Sequence, residues 1–310
     1  MKSMRELMRQ LAEEKQETIS REIVAINEKD CMARHWKSDG AHGVKGEGRA
    51  NYFQGGKFLE TGCANVSTLK GPVLGEMARL ISIDPQDLSK HSFFATGISL
   101  IFHSYSPFVP SIHANYRYCE IVDGSNNVVL WYFGGGADLT PYYLFEEDAT
   151  HFHRTLKKAC DKTDPTLYEN LKKAADDYFY LPHRKEHRGI GGIFVLRFFD
   201  RPQEEIYHWV QECSDVFLPS YLPIAEKRMN EPFTEEQKKW QLLRRGRYIE
   251  FNLLYEKGLS FLLGLNMETS VENVFMAFPQ QARWEFGFTP LPHSPEEKLL
   301  EVLKNPRDWV

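Results

Sequence analysis

The first 30 residues carry apolar side chains at helical spacing. Met4, Leu7, Leu11 and Ile19 recur on one face of a helix, with charged and amide residues between them. Apolar positions three or four residues apart are typical of a helix that packs one side against a core. The pattern therefore predicts an amphipathic helix over residues 1–30.

The next stretch has a different composition. Residues 38–57 are rich in glycine, serine and charge, which predicts a mobile peripheral loop. Beyond it, strand and helix patterns alternate without an internal repeat or a low-complexity linker. We therefore expect one domain over residues 1–310.

Two β-rich runs flank a short turn near the middle of the chain. Residues 114–122 and 128–133 are separated by Asp-Gly-Ser-Asn-Asn, which predicts a hairpin with a five-residue connection. Strands joined so closely must run antiparallel. Tyr248–Tyr255 alternates in part between apolar and polar residues and is predicted as another strand.

Three further segments are predicted as helices, each marked by a breaker or a cap: 146–163, 234–245 and 294–304. Thr234 with Gln237 three residues later is a capping-box pattern, in which side chain and backbone satisfy each other's hydrogen bonds. Helices and antiparallel strands in this mixture predict an α+β fold, with helices packed on a sheet.

Charge and composition narrow the function. The chain has 42% hydrophobic and 26% charged residues, a net charge of −5 and a pI of about 6.1. This composition is that of a globular protein, and the charge argues against nucleic acid as the partner. Aromatic residues reach 13%, which fits either a large core or a pocket for a flat ligand. An anionic small-molecule substrate stays open, because arginines can cluster locally.

The cysteines and the N-terminus bear on location. Five cysteines are scattered without a CxxC pair, so disulfides and a zinc knuckle are not expected and a reducing compartment is. No apolar run approaches the roughly 18 residues of a membrane span. The N-terminus lacks a signal-peptide core and contains glutamates, which argues against a typical presequence. We expect a cytoplasmic protein, with the mitochondrial intermembrane space as the alternative.

Histidines lie where catalysis or metal binding could use them. His103 and His113 border a loop that contains two prolines, His153 belongs to the run HFH, and His183 precedes a glycine-rich run. Any one of them could instead be a hydrogen-bonded structural histidine. Neutral imidazole serves both as a general base and as a metal ligand. No HExxH pattern occurs, so a metal site would need ligands from distant segments.

Arginines stand beside glycines in several places. Arg117 lies near the start of the predicted strand 114–122, and Arg184 and Arg188 precede Gly-Ile-Gly-Gly. Such charges can be merely solvated, but guanidinium groups can also grip carboxylates through paired hydrogen bonds. Gly134–Gly136 fits no phosphate-loop pattern and suggests a floor for a flat ligand. Asp138 follows it, either as part of the site or as a turn or helix cap.

The longer motifs have a family resemblance. The strings GISLIFHSYSPFVPSIHANYRY, WYFGGGADLTPYY, HFHRTLKKACD, LPHRKEHRGIGGIF, RRGRYIEFNLLYEKG and NPRDWV resemble those of the oxygen-dependent coproporphyrinogen III oxidases. They occur in the family's order, from about Gly46 to Val310. The match is too long and specific to arise by chance.

The resemblance implies a fold and a reaction. The fold would be a large antiparallel sheet between layers of helices, in a homodimer. The reaction would convert two propionates of coproporphyrinogen III to vinyl groups, giving protoporphyrinogen IX in haem biosynthesis. Molecular oxygen would be the oxidant, with CO2 and hydrogen peroxide as products. No organic cofactor is implied.

The resemblance also implies roles for residues at matching positions. Catalytic roles fall to His113, Asp138, Arg184 and Arg188. Substrate-binding roles fall to Ser99, Asn115 and Arg117. A divalent metal is implied for some members, with ligands matching His103, His113, His153 and His183. Asp138 would accept hydrogen bonds from pyrrole N–H groups, and His113 would act as a base.

Two segments depart from the family's pattern. Val195–Phe198 replaces a usual Phe-Asp-Asp-Leu, and Glu268–Ser270 replaces a segment that touches substrate. Three hypotheses therefore stay open: the oxidase, a metal-dependent enzyme built on the four histidines, and a tetrapyrrole carrier without catalysis.

Overall fold

A seven-stranded antiparallel sheet forms the centre of the protein. The computed structural model describes residues 2–39, 43–74, 85–257 and 275–310. In the sheet the strands lie in the order β1-β2-β3-β4-β5-β6-β9. These strands are β1 Met32–Asp39, β2 Lys45–Gln54, β3 Leu59–Pro72, β4 Ser92–Ser104, β5 Ser111–Val122, β6 Val128–Thr140 and β9 Gly192–Phe198. A separate two-stranded ribbon pairs β7 Tyr180–Leu181 with β8 Glu186–His187.

Seven α-helices surround the sheet in the described part of the chain. They are α1 Met4–Asn27, α2 Glu146–Asp161, α3 Leu167–Tyr178, α4 Gln203–Asp215, α5 Phe217–Arg228, α6 Glu235–Leu254 and α7 Pro295–Lys304. A 3-10 segment covers Pro85–Lys90. Helices on an antiparallel sheet make the predicted α+β class, which is confirmed.

One face of the sheet carries the main core. Leu100, Ala114 and Tyr116 point to this face and are at most 1% exposed. Helix α1 packs across β3, β4 and β5 there, and side chains of α2, α4 and α5 join the same cluster. Burying apolar area at about 25 cal/mol per Å² makes this face the main source of stability.

The opposite face is covered only in part. Tyr248 of α6 packs against Ala50, Cys63 and Ile101, which alternate along their strands with the residues of the main core. Beside this small cluster the central strands present polar side chains such as His113, Asn115 and Asp138. Further along the same strands, Phe93 and Ile121 form a second apolar cluster. Successive residues of a strand point to opposite faces of the sheet. Alternate residues of the same strand therefore belong to the main core or to this opposite face, which we call the polar face.

The predicted N-terminal helix is confirmed. The Ser3 hydroxyl accepts from the backbone N–H of Glu6, and the Glu6 carboxylate accepts from the backbone N–H of Ser3. The helix ends at Asn27, where Glu28 adopts the left-handed conformation. Within the chain as described, no helix is both long and apolar enough to span a bilayer.

Two predicted elements are wrong. Much of the predicted loop 38–57 is β2, whose glycines pair in register between β1 and β3. Pairing on both sides stabilises these glycines in a strand, although alone they favour a loop. The predicted strand Tyr248–Tyr255 is the end of α6. This part of α6 is buried on more than one side, so its apolar residues do not follow a clear helical period. The pattern therefore does not distinguish a helix from a strand.

The hairpin is longer than predicted. Strand β6 continues through the glycine triplet to Thr140 and pairs with β5 along its length, with one irregularity near its start. The glycines therefore lie inside the sheet and not after it. The segments predicted as helices at 146–163 and 294–304 are confirmed as α2 and α7 to within a few residues.

Candidate active site

His113 and Asp138 face each other across two central strands. They are in-register partners of β5 and β6, so both side chains point to the polar face. His113 Nδ1 donates to Asp138 Oδ1 over 2.8 Å. Because Nδ1 carries the proton in this arrangement, the lone pair of the neutral ring lies on Nε2. Asp138 thus selects the tautomer of His113.

Arg188 holds the other oxygen of the same carboxylate. Its Nη2 donates to Asp138 Oδ2 over 2.6 Å, and the side chains are only 2% and 3% exposed. The guanidinium lies 4.3 to 4.7 Å from the ring centres of Phe179, Tyr248 and Phe251. This aromatic surrounding supplies cation–π attraction while excluding water. A buried charge pair in such a setting is fixed in orientation.

Asp138 and Arg188 each stabilise the charged form of the other. Burial by itself would raise the pKa of Asp138, but Arg188 and the hydrogen bond from His113 outweigh it and lower that pKa. Burial likewise opposes the charge of Arg188, whereas Asp138 raises the pKa of Arg188 above its usual value. Both groups are therefore charged at neutral pH.

Asn252 completes this arrangement and was not predicted. Arg188 Nη1 donates to Asn252 Oδ1 over 3.0 Å, and Asn252 is 4% exposed. Asn252 lies four residues after Tyr248, so the two share one face of α6. The motif that contains Asn252 is visible in the sequence but predicts a strand. In a strand, residues 248 and 252 are not adjacent, so the contact of both with Arg188 was not predicted.

A second polar row lies two residues further along the same strands. Asn115 Nδ2 donates to Ser99 Oγ over 3.2 Å, and Arg117 Nε donates to Asn115 Oδ1 over 2.9 Å. All three are half-buried on the open face. The structure thus brings together the three residues predicted to bind substrate, beside His113 and Asp138.

Glycines make the floor around this row flat. Gly97 and Gly134 lie directly opposite Arg117 on its two neighbouring strands. Gly135 has φ +127°, and a Cβ there would lie 1.7 Å from the carbonyl oxygen of Asn115. Only glycine adopts this conformation at such a close approach. The predicted floor for a flat ligand is therefore present within the sheet.

Arg184 lies at a different centre, around Glu250 of α6. Arg184 donates to both carboxylate oxygens of Glu250, at 2.8 and 2.7 Å. His183, Arg247 and the indole N–H of Trp284 donate to the same carboxylate. Burial would raise the pKa of Glu250, but these donors lower it to about 2. Arg184 is thus held at the exposed β7–β8 turn, away from the pair formed by Asp138 and Arg188.

The four histidines predicted as metal ligands do not form a cluster. No group of three or more metal-binding side chains occurs among the residues described. His103 accepts from Ser111 Oγ over 2.5 Å and donates to the carbonyl of Ala277. His153 accepts from Tyr168 OH and donates to the carbonyl of Ile190. Because their lone pairs are engaged, these rings do not fit a shared metal centre.

The two departures from the family pattern lie in different places. Val195–Phe198 belongs to β9 at the sheet edge, where Val195 pairs with Gly135 and Phe198 packs in the core. Val195 thus borders the glycine floor, whereas Arg197 is exposed on the same strand. Glu268–Ser270 falls outside the described residues.

A family model described as coproporphyrinogen III oxidase matches residues 7–309. The chain belongs to the coproporphyrinogen III oxidase family. This membership confirms the resemblance of its motifs.

Named relatives extend the comparison. The chain is 44% identical over 268 residues to the oxygen-dependent coproporphyrinogen-III oxidase of Drosophila melanogaster, covering 86% of this chain and 68% of the relative. It is 44% identical over 269 residues to the mitochondrial human enzyme, covering 86% and 59%. It is 43% identical over 267 residues to the oxidase of Francisella philomiragia, covering 86% and 84%.

Proposed function

We propose that the polar face around His113, Asp138 and Arg188 is where this enzyme carries out oxygen-dependent decarboxylation of coproporphyrinogen III. Each of two propionates loses CO2, one proton and two electrons and becomes a vinyl group. For each propionate, one molecule of oxygen takes up the two electrons and two protons and leaves as hydrogen peroxide, so two molecules of oxygen are used in all. The observation that carries the proposal is the buried Asp138, which holds His113 and Arg188 on its two oxygens.

His113 is the proposed base. Its Nδ1 is occupied by Asp138, and its side chain is 26% exposed on the open face. The Nε2 lone pair has no partner among the described residues. It can therefore take a proton from a pyrrole N–H, and Asp138 stabilises the imidazolium that results. Removing that proton makes the ring more electron-rich and easier to oxidise.

Asp138 has a second proposed role as an acceptor. An ionised carboxylate offers about four lone-pair positions, of which His113 and Arg188 use two. The remaining positions suit pyrrole N–H groups of the macrocycle. Arg188 keeps the carboxylate charged and fixed, because its own charge is buried against it. We therefore assign Arg188 a positioning role through Asp138, in place of the predicted grip on a carboxylate of the substrate.

The carboxylates of the substrate need cations within reach. Arg117 lies on the glycine floor with Asn115 and Ser99 beside it, and no ion pair joins Arg117 to a carboxylate in the described chain. We assign Arg117 to a propionate, by a charge-assisted hydrogen bond. Arg184 is bound to Glu250 and would reach a second propionate only with its outward-facing N–H groups.

Oxygen is the co-substrate, and no organic cofactor or metal is part of the proposal. A homodimer and a cytoplasmic location stay predictions. Size-exclusion chromatography with light scattering tests the dimer, and fractionation of the source cells tests the location.

The activity is tested by incubating purified protein with coproporphyrinogen III in metal-free buffer, under air and under nitrogen. Vinyl product in air and none under nitrogen supports the proposal. Tight binding of the tetrapyrrole without conversion in air would instead identify a carrier. His113→Asn is expected to lower kcat by about 10²- to 10⁴-fold, as for loss of a general base.

A further inference from the structure

Asn65 lies on the polar face but has no part in the function proposed above. It is the direct partner of Ser99 across β3 and β4, and Ser99 is in turn the partner of Asn115 across β4 and β5. Residues opposite each other in a sheet share a face. Asn65 therefore extends the row of Ser99 and Asn115 by one strand, on the side away from Asp138.

Trp36 of the edge strand β1 fixes the orientation of the Asn65 amide. The indole N–H of Trp36 donates to Asn65 Oδ1 over 3.1 Å. Gly48 pairs with Trp36, and a Cβ at this glycine would lie 2.6 Å from the indole ring. The missing side chain at Gly48 thus admits the ring. Because the oxygen of the amide is occupied, Asn65 presents its Nδ2 donors to the open face.

The row of Asn65, Ser99 and Asn115 contains more hydrogen-bond donors than acceptors. Ser99 Oγ accepts from Asn115, so its own hydrogen is left to donate. Neither this hydroxyl nor Asn65 Nδ2 has an acceptor among the described residues. The guanidinium of Arg117 leans on Asn115 and adds positive charge. Two free donors and a nearby cation, with no anion beside them in the described chain, are complementary to a carboxylate.

We propose that Asn65 and Ser99 form a carboxylate subsite for a propionate that the reaction leaves intact. Neighbouring strands are about 4.8 Å apart, so the two donors can meet the two oxygens of one carboxylate. A carboxylate held by several donors is stabilised as an anion, which opposes its loss as CO2. The subsite therefore suits retention of a propionate. This inference rests on the proposed function and adds a specificity residue to it.

Asn65→Asp gives the sharpest test. The variant keeps an oxygen for the Trp36 indole and replaces the donor by a negative charge. We expect KM for coproporphyrinogen III to rise about tenfold or more, with kcat changed less than about twofold, as for loss of a uniform binding contact. Asn170→Asp adds the same charge on an exposed position of α3 and should leave KM unchanged.

Two further variants separate binding from folding. Asn65→Leu removes both polar atoms and should raise KM less than Asn65→Asp, because it adds no repulsion. Trp36→Phe frees the amide to rotate and should raise KM about two- to threefold. If Asn65 served only to hold Trp36, Asn65→Leu would be the more damaging variant and Asn65→Asp would be neutral. That order would overturn the proposal.

A direct binding measurement makes the result independent of turnover. Coproporphyrin III, the oxidised and fluorescent tetracarboxylate, serves as the probe. We expect its Kd to rise about tenfold in Asn65→Asp relative to wild type and to Asn170→Asp. An unchanged Kd and KM in Asn65→Asp would refute the subsite while the wild type still converts substrate. Wild-type protein that fails to convert substrate in air would refute the proposed function instead.

Discussion

Arg188 and Asp138 form a buried ion pair in which Arg188 Nη2 donates to Asp138 Oδ2 over 2.6 Å. Fifty residues separate them in the chain, yet each secures the other's charge. The pair lies where the sheet meets α6, so the packing of that helix influences the geometry of His113, the proposed base.

Asp138→Asn should remove both activity and stability. The amide keeps the shape but leaves Arg188 with an unpaired buried charge, which costs on the order of 3 kcal/mol in the free energy of unfolding. It also loses the charge that supports His113, so kcat should fall by about 10³-fold or more. Thermal unfolding and the oxygen-dependent assay measure the two effects. Asp200→Asn, at an exposed position, is the matched control, and equal rates in the two variants would contradict the assignment.

Asn252→Leu should slow the reaction although Asn252 does not contact His113 or Asp138. Loss of the Oδ1 acceptor lets Arg188 rotate, and we expect kcat to fall about tenfold with KM nearly unchanged. Asn252→Asp keeps the acceptor and should recover most of the rate. The expected split between kcat and KM distinguishes positioning from general destabilisation. Similar rates for Asn252→Leu and the exposed control Asn170→Leu would exclude this role.

Glu250→Gln should make the free energy of unfolding less dependent on pH between about pH 4.5 and 2. The pKa of Glu250 in the folded protein is about 2, against a usual value of 4.5. A depressed carboxyl pKa contributes stability that is complete above about pH 4.5 and is lost as the pH falls towards 2. The contribution is on the order of 3 kcal/mol. Urea unfolding between pH 2 and 7 should show a wild-type advantage that disappears at the acid end.

The control for that series is Glu146→Gln, which breaks an exposed contact with Arg307. An exposed pair contributes about 1 kcal/mol or less. A Glu146→Gln series that matches Glu250→Gln at every pH would show that the convergence of donors on Glu250 has no special effect.

His153→Phe should cost stability and leave the metal content unchanged. The substitution leaves Tyr168 OH and the carbonyl of Ile190 without their partner, at about 1–3 kcal/mol for each unsatisfied group. Burial lowers the pKa of His153 to about 3. The neutral ring therefore stabilises the fold fully above about pH 6.5 and less as the pH falls. Metal analysis of both proteins, alongside urea unfolding, provides the test, and loss of a bound metal in the variant would restore the metal-site hypothesis.

Some of the candidate site could be read from the sequence because it lies on neighbouring strands. The hairpin prediction placed Asn115 and Arg117 on one strand, with His113 directly before it, and the glycines directly after the other strand. Residues two apart on a strand share a face, so their proximity follows from local periodicity. Strand β2 could not be read in the same way, because its glycines are strand-forming only through pairing on both sides.

What the sequence by itself determined was the family, the α+β class, the N-terminal helix and the identity of the polar residues, because these depend on local patterns and long motifs. Only the tertiary structure decided which groups meet. It paired Arg188 with Asp138, bound Arg184 to Glu250, separated the four histidines, and brought Asn65 beside Ser99. These contacts join segments far apart in the chain, and their partners are selected by sheet register and helix packing, which no local pattern encodes.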